Sequence, residues 1–382
     1  MADIQPFKLA VAQADLDDLA LRLEHTRLPE RETPDDWSQG VPLAYAREVI
    51  AYWRDEYDWR ARERYYNEFP QFRITLQGLG IHFIHIKSPS PSARPLLLTH
   101  GWPGSVVEFH KVLAPLVDPV AHGGQASDAF HVVAPSLPGY GFSDKPTATG
   151  WGVDKIAAVW DELMSALGYA QYFAQGGDWG AAVTTAIGLA NRGACQGIHV
   201  NMPTARASRQ AREAPDEQDK QALARARQHQ QWGTGYSKQQ STRPQTVGYG
   251  LVDSPLAQAM WIIEKFHAWT DCNGHPENVL SRDELLDNVM FYWLPGNGAS
   301  SARLYWESFN QAFRHDGPQT VSLPTGCSIF PEEIVPIPRS WAETRYTNIV
   351  YWNELDKGGH FAAFEQPELF VAELRTAFAL MR

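Results

Sequence analysis

The chain has 382 residues, 44% of them apolar and 20% charged, with a formal net charge of −11; this is the composition of a folded globular protein with one large core and a substantial second element. The acidic balance excludes a nucleic-acid binder and a partner of anionic membranes, since both need clustered Lys and Arg. Cys195, Cys272 and Cys327 are odd in number, far apart and without Cys-x-x-Cys spacing, which excludes a disulfide framework and a zinc site and leaves three small core residues in a reducing compartment. Acids interrupt the N-terminal stretch where a secretion signal needs an apolar run, and no run of about 18 apolar residues occurs anywhere. The expectation is a soluble cytoplasmic protein.

Residues 1–90 read as mostly helical, ending in a strand. Asp15 can cap a helix whose positions Leu16, Leu19, Ala20 and Leu23 share one face. Pro42 can start a second helix, with Leu43, Ala46, Ile50, Trp53 and Tyr57 stepping by three and four. Ile81 to Ile86 alternates as a half-buried strand, and His82 and His85 fall on its opposite faces, so they cannot hold one metal together. From 91 to 204 short apolar runs alternate with helical stretches. Leu96–Thr99 precedes His100-Gly101-Trp102-Pro103-Gly104, His131–Ala134 precedes Leu137-Pro138-Gly139, and Tyr172–Gln175 runs into Gly176-Gly177-Asp178-Trp179-Gly180 and a small-residue helix ending at Ala190. Continuous apolar strands separated by helices imply a mostly parallel sheet covered on both faces. Residues 205–320, rich in Gln, Arg, Ala and aromatics, read as a helical insertion over that sheet, opened by a charged stretch (Arg206 to Lys220) that forms a solvated face. Strand-like segments resume at Val321–Leu323 and Ile349–Trp352 in the last part, 321–382, and a final helix starts near Pro367 with Phe370, Leu374 and Phe378 on one face.

The string Gly176-Gly177-Asp178-Trp179-Gly180 has the small-x-nucleophile-x-small form of a strained strand-to-helix turn that lifts one side chain above the sheet. The usual occupant is Ser; here it is Asp178, and no Gly-x-Ser-x-Gly occurs in the chain. Glu333 and then His360 follow, giving the order nucleophile, acid, histidine expected of an α/β-hydrolase. The backbone N–H groups of Trp102, after an earlier strand, and of Trp179, after the nucleophile, are the candidates for an oxyanion hole.

These segments resemble the microsomal-type epoxide hydrolase family, including its juvenile-hormone and soluble bacterial or fungal members. The resemblance rests on Asp36-Trp37, Gly40-Val41-Pro42-Leu43 and Tyr57-Asp58-Trp59-Arg60 in the N-terminal extension, and on the His100–Gly104 and Gly177–Gly180 strings. It continues through Ser241-Thr242-Arg243-Pro244, Ile263-Glu264-Lys265-Phe266 and Gly359-His360-Phe361-Ala362-Ala363-Phe364-Glu365. It implies an α/β-hydrolase fold with an N-terminal extension over 1–90 and a helical lid over 205–320. It implies Asp178 as nucleophile, His360 as base and an acid in Phe330-Pro331-Glu332-Glu333, where spacing to the histidine selects Glu333 over its neighbour Glu332. The resemblance also places two epoxide-polarising phenols in the lid, at Tyr236 and Tyr305.

The chemistry suits the residues. A carboxylate of free pKa about 3.9 is already ionised at neutral pH and can displace at saturated carbon, while phenols of pKa about 10 can protonate the departing alkoxide. No cofactor or metal is expected, and no Gly-x-Gly-x-x-Gly, phosphate-binding Gly-Lys-Ser/Thr or His-Glu-x-x-His string occurs. The expected partners are a small apolar or aromatic epoxide and, in a homodimer, a second copy of the chain. Detoxification, aromatic hydrocarbon catabolism and a biosynthetic step all remain open. Two rival readings stand beside this one: a haloalkane dehalogenase, which also uses an Asp elbow, and a non-catalytic ligand-binding relative.

Overall fold

The N-terminal third folds as strand β1 (Ile4–Phe7), helices α1 (Gln13–Glu24), α2 (Leu43–Asp55) and α3 (Trp59–Tyr66), and strands β2 (Gln71–Leu76) and β3 (Leu79–Ile86) in a computed structural model that describes residues 3–312 and 319–381. Helix α1 begins two residues before Asp15, which therefore lies in the first turn and complements the helix dipole without capping it. Pro42 does stand at the N-cap of α2, but the helix ends at Asp55; Tyr57 lies beyond it and donates from its hydroxyl to Asp287. Strands β1 and β2 were not anticipated. Pro6 is tolerated in β1 because that strand lies at the sheet edge. Strand β3 is buried on both faces, not half-buried. His82 and His85 are structural: the ring nitrogens of His82 meet Ser136 and Gln71, and burial pushes the pKa of His82 down to about 3 and that of His85 to about 4.

The next segment alternates as expected: β4 (Arg94–Thr99), α4 (Leu113–Val117), β5 (Phe130–Pro135), α5 (Val153–Ala166), β6 (Tyr172–Gly176), α6 (Asp178–Ala190) and β7 (Cys195–Val200). Seven helices follow: α7 (Arg209–Glu213), α8 (Glu217–Gln228), α9 (Gly235–Thr242), α10 (Pro244–Asp253), α11 (Pro255–Trp269), α12 (Arg282–Trp293) and α13 (Gly298–Ala312). Residues 313–318 of the expected helical insertion lie outside the described residues. The chain then returns through β8 (Thr325–Ile329), α14 (Arg339–Ala342), β9 (Ile349–Glu354), α15 (Ala362–Glu365) and α16 (Pro367–Ala379). The expected strand at Val321–Leu323 is a single bridge from Val321 to Tyr346, and the sheet strand starts at Thr325. Two residues there, Leu323 and Pro324, lead into the strand, and Pro324 has no N–H to give to a ladder.

All nine strands form one sheet in the order β1-β2-β3-β5-β4-β6-β7-β8-β9. Pairings from β1 through β3 to β5 are antiparallel, and those from β5 to β9 are parallel. The inner parallel strands β6 and β8 are buried along their length because helices cover both faces, while the edge strand β9 is only half-buried. In an open parallel sheet of this kind, loops at the carboxyl ends of the strands gather the chemistry. Those after β4, β6, β8 and β9 carry Trp102, Asp178, Glu333 and His360. The three cysteines are buried and free. No helix among the described residues is long and apolar enough to cross a membrane.

Candidate active site

Asp178 is the first residue of α6 and has φ +49°, the left-handed backbone of a tight elbow. Its neighbours must be small. A Cβ on Gly180 would stand 1.8 Å from the carbonyl oxygen of Thr99, and one on Gly176 would stand 2.1 Å from that of Gly180. The elbow thus presses on the end of β4, and Asp178 projects into the loop that follows it. There the backbone N–H of Trp102 donates to Asp178 Oδ1 at 2.7 Å. Trp179, next after Asp178, has its N–H in the first turn of α6, where helix geometry supplies no acceptor within the helix. His100 is a tie, not a base. Its Nδ1–H donates to Gly101 O at 3.0 Å, its Nε2 accepts from the Leu137 N–H at 3.1 Å, and burial lowers its pKa to about 4.

The opposite carboxylate oxygen, Asp178 Oδ2, lies 3.2 Å from His360 Nε2. On the other side of the ring, His360 Nδ1–H donates to Glu333 Oε1 at 2.5 Å. Glu333 is buried, whereas Glu332 turns outward to pair with Arg225 at 3.2 Å. Arg225 also donates to the carbonyls of Pro331 and Glu333, so one guanidinium holds the turn that aims the acid. The His360 backbone N–H donates to Trp269 O at 2.8 Å, which fixes the histidine loop against α11. Burial opposes a positive charge on His360, but the carboxylates of Glu333 and Asp178 outweigh it and hold the imidazole well above its ordinary pKa.

Helices α9 and α13 bring Tyr236 and Tyr305 together over this group. Their ring centroids are 5.7 Å apart, Tyr236 stacks on Trp102 at 4.9 Å, and Tyr305 meets Trp179 edge-on at 4.8 Å. Burial first, and then the charges around the site, with Asp178 among them for both, raise the pKa of each phenol well above its ordinary value. Both hydroxyls therefore keep their protons at neutral pH. Trp269 closes the side next to Tyr236 and His360, with centroids 5.2 and 5.1 Å away.

The five side chains singled out in the sequence thus converge on one point. Sequence reasoning missed Lys265, whose ammonium sits 4.6 Å above the Tyr236 ring, and Glu108, a half-buried acid near Asp178 and His360. Glu108 was signalled only by being a lone acid within the apolar Val106–Phe109 run. No group of His, Cys, Asp and Glu among the described residues is arranged to hold a metal ion.

An α/β-hydrolase whose elbow carries a carboxylate in place of a hydroxyl is the class this arrangement defines. Residues 4–109 match the family described as epoxide hydrolase N terminus, and residues 94–246 match the alpha/beta hydrolase fold. The chain belongs to the epoxide hydrolase family. It is 54% identical over 99% of its length to a Stigmatella aurantiaca protein named provisionally as an epoxide hydrolase, covering 86% of that protein. It is 35% identical to epoxide hydrolase 1 of Oryctolagus cuniculus, covering 97% of this chain and 88% of that one. Among solved structures, the juvenile hormone epoxide hydrolase of Bombyx mori superposes with a TM-score of 0.91 at 30% identity, over 100% of this chain and 95% of that one. The Aspergillus niger epoxide hydrolase gives 0.88 at 32% identity, over 100% and 97%.

Proposed function

We propose that this epoxide hydrolase converts an epoxide and water to a vicinal diol through a covalent ester on Asp178. One observation carries the reading: the two oxygens of Asp178 have different neighbours. Oδ1 accepts from the Trp102 N–H, while Oδ2 lies 3.2 Å from His360 Nε2. Oδ2 attacks the epoxide carbon. The C–O bond breaks, and Tyr236 and Tyr305 hydrogen-bond the ring oxygen and protonate it as it leaves. Esterification removes one of the two negative charges that hold a proton on His360. The imidazole then becomes the base that deprotonates water, oriented by Glu333. Water attacks Cγ of the ester, and the N–H groups of Trp102 and Trp179 stabilise the oxyanion, a contribution of about 3–4 kcal/mol per donor in comparable sites. The proton that His360 sheds on esterification restores the tyrosinate to a phenol; collapse then releases the diol, and the second water proton passes from the new carboxyl to His360, which regenerates the carboxylate and the imidazolium.

In this reading residues 205–320 act as the lid that delivers the phenols, residues 1–90 are the extension, and 91–204 with 321–382 are the catalytic core. The aromatic walls of Trp102, Trp179 and Trp269 support an apolar or aromatic epoxide. Detoxification, aromatic hydrocarbon catabolism and a biosynthetic step would each use the same chemistry. A single turnover with enzyme in excess in oxygen-18 water tests the covalent step. The first diol is expected to carry an unlabelled oxygen from Asp178; label in that first diol would mean direct attack by water and would overturn the reading.

A further inference from the structure

Behind the elbow, on the sheet side of Asp178, lies a small cavity of about 20 Å³ lined by Thr99, Glu108, Gln175, Asn201, Asp178 and His360, among others. That is room for a single water. Two of its lining residues carry buried polar atoms with no hydrogen-bond partner among the described residues, Thr99 Oγ1 and Gln175 Oε1, while His360 Nε2 has Asp178 Oδ2 at 3.2 Å. Thr99 and Gln175 are almost wholly buried, at 0% and 1% exposure. Leaving such groups unpaired costs about 1–3 kcal/mol each, so two in the wall of one small cavity, beside His360 and Asp178, mark a site built for a hydrogen-bonding guest.

Glu108 completes the wall, and the chain makes space for it. A Cβ on Gly104 would lie 1.3 Å from Glu108 Oε1, so the glycine of Trp102-Pro103-Gly104 leaves the volume that this carboxyl fills. Burial pushes the pKa of Glu108 up to about 8, with Asp178 adding to the rise and His360 opposing it. At neutral pH the group is then mainly a carboxylic acid, able to donate one hydrogen bond and accept another. Gln175 itself is held in place because its Nε2–H donates to Asn201 Oδ1 at 3.0 Å.

We propose that this cavity seats the hydrolytic water, and that Glu108, Thr99 and Gln175 are positioning residues that aim it at the ester of Asp178. The inference rests on the covalent reading given above. One proton of the water passes to His360 Nε2 as its oxygen bonds to Cγ, and the electron pair of the carbonyl moves onto Oδ1. On collapse, the bond from Cγ to the ester oxygen breaks, and His360 returns the proton to the departing diol oxygen. The positioning residues exchange no proton; they fix the direction of attack.

The test separates the two half-reactions. Parent, Thr99→Val, Glu108→Leu and Glu108→Gln are mixed in excess with styrene oxide, quenched rapidly, and followed by intact mass for the alkyl-enzyme. Formation of the alkyl-enzyme is expected at the parent rate in all four proteins. Its decay is expected to slow by roughly tenfold in Thr99→Val and roughly a hundredfold in Glu108→Leu, as one or more water contacts are lost. Glu108→Gln, which keeps a neutral donor and acceptor of the same shape, restores most of the rate. Unchanged decay in both Thr99→Val and Glu108→Leu overturns the water site, and so does equal slowing of both steps, which a merely structural role would produce. If even His360→Gln accumulates no alkyl-enzyme, the covalent reading itself falls, and the water site falls with it.

Discussion

Tyr236 and Tyr305 reach the elbow from two helices of the insertion, and both are buried against tryptophans. An isolated phenol in such a place is ordinary core packing. Burial raises the pKa of both phenols, with Asp178 among the charges that add to the rise, and in the proposed reaction they keep their protons until the epoxide oxygen departs. Each single Tyr→Phe substitution is expected to slow ester formation by roughly 10²-fold, the scale of one general acid, and to leave decay of a preformed ester near the parent rate. Rapid-quench mass measurement of both steps checks this. A phenylalanine variant that slowed decay and spared formation would move the phenols out of proton donation.

At the level of the element, the elbow joins β6 to α6 by forcing Asp178 into left-handed backbone, which costs a non-glycine residue about 1–2 kcal/mol. The surrounding contacts impose it. Every residue from Asp178 to Gly188 is buried, so α6 is pressed onto the sheet and cannot relax away. The end of β4 closes on the elbow just as tightly, since a Cβ at Gly101 would stand 2.1 Å from Asp178 Oδ1. The same Cβ would stand 2.4 Å from Asp178 Cβ, so rotation of the side chain cannot relieve the clash and the elbow itself must shift. Gly101→Ala is therefore expected to displace the elbow and to move the carboxylate off the Trp102 N–H. Ester formation should fall by roughly 10²-fold or more, the loss attached to an oxyanion-type donor. Unchanged circular dichroism with slow alkylation would bear this out; normal alkylation would show that the carboxylate does not depend on this contact.

Over the whole molecule, side chains of the N-terminal third are tied to α12. Asp287 of α12 accepts from Tyr57 at 2.7 Å, from Tyr66 at 2.8 Å and from Arg62 Nε at 2.8 Å, while Tyr52 donates to Asp283 at 2.7 Å. The loop after β4 joins the same helix through Glu284, which pairs with Lys111 at 2.5 Å and His110 at 3.3 Å. Burial works against the charge of Glu284, but His110, Lys111 and the Ser281 backbone prevail and lower its pKa from 4.5 to about 2. A depressed carboxyl pKa contributes stability that is complete above the unfolded value and is lost as pH falls through the folded one. The stability difference between parent and Glu284→Gln is thus expected to be full above pH 4.5 and to vanish as pH falls toward about 2. Urea unfolding of both proteins across that interval checks it, and a difference independent of pH would show that Glu284 acts by packing alone.

The sequence by itself determined the chemistry-bearing turns. Gly176, Gly177 and Gly180 are required within a few residues of Asp178 because backbone crowds backbone there, and such a demand is written locally. The order Asp178, Glu333, His360 was legible for the same reason: each residue follows the carboxyl end of a strand, and parallel strands deliver those ends to one edge. Spacing to the histidine had already selected Glu333 over Glu332; the tertiary structure supplies the reason, because adjacent residues in a turn point in different directions and packing around Arg225 turns Glu332 outward and leaves Glu333 facing His360. Only the tertiary structure decided that Glu108 faces Asp178 and His360, that β1 and β2 extend the sheet, and that the strand after the helices starts at Thr325 and not at Val321. Those outcomes depend on which distant surface each side chain meets, and spacing along the chain does not encode that.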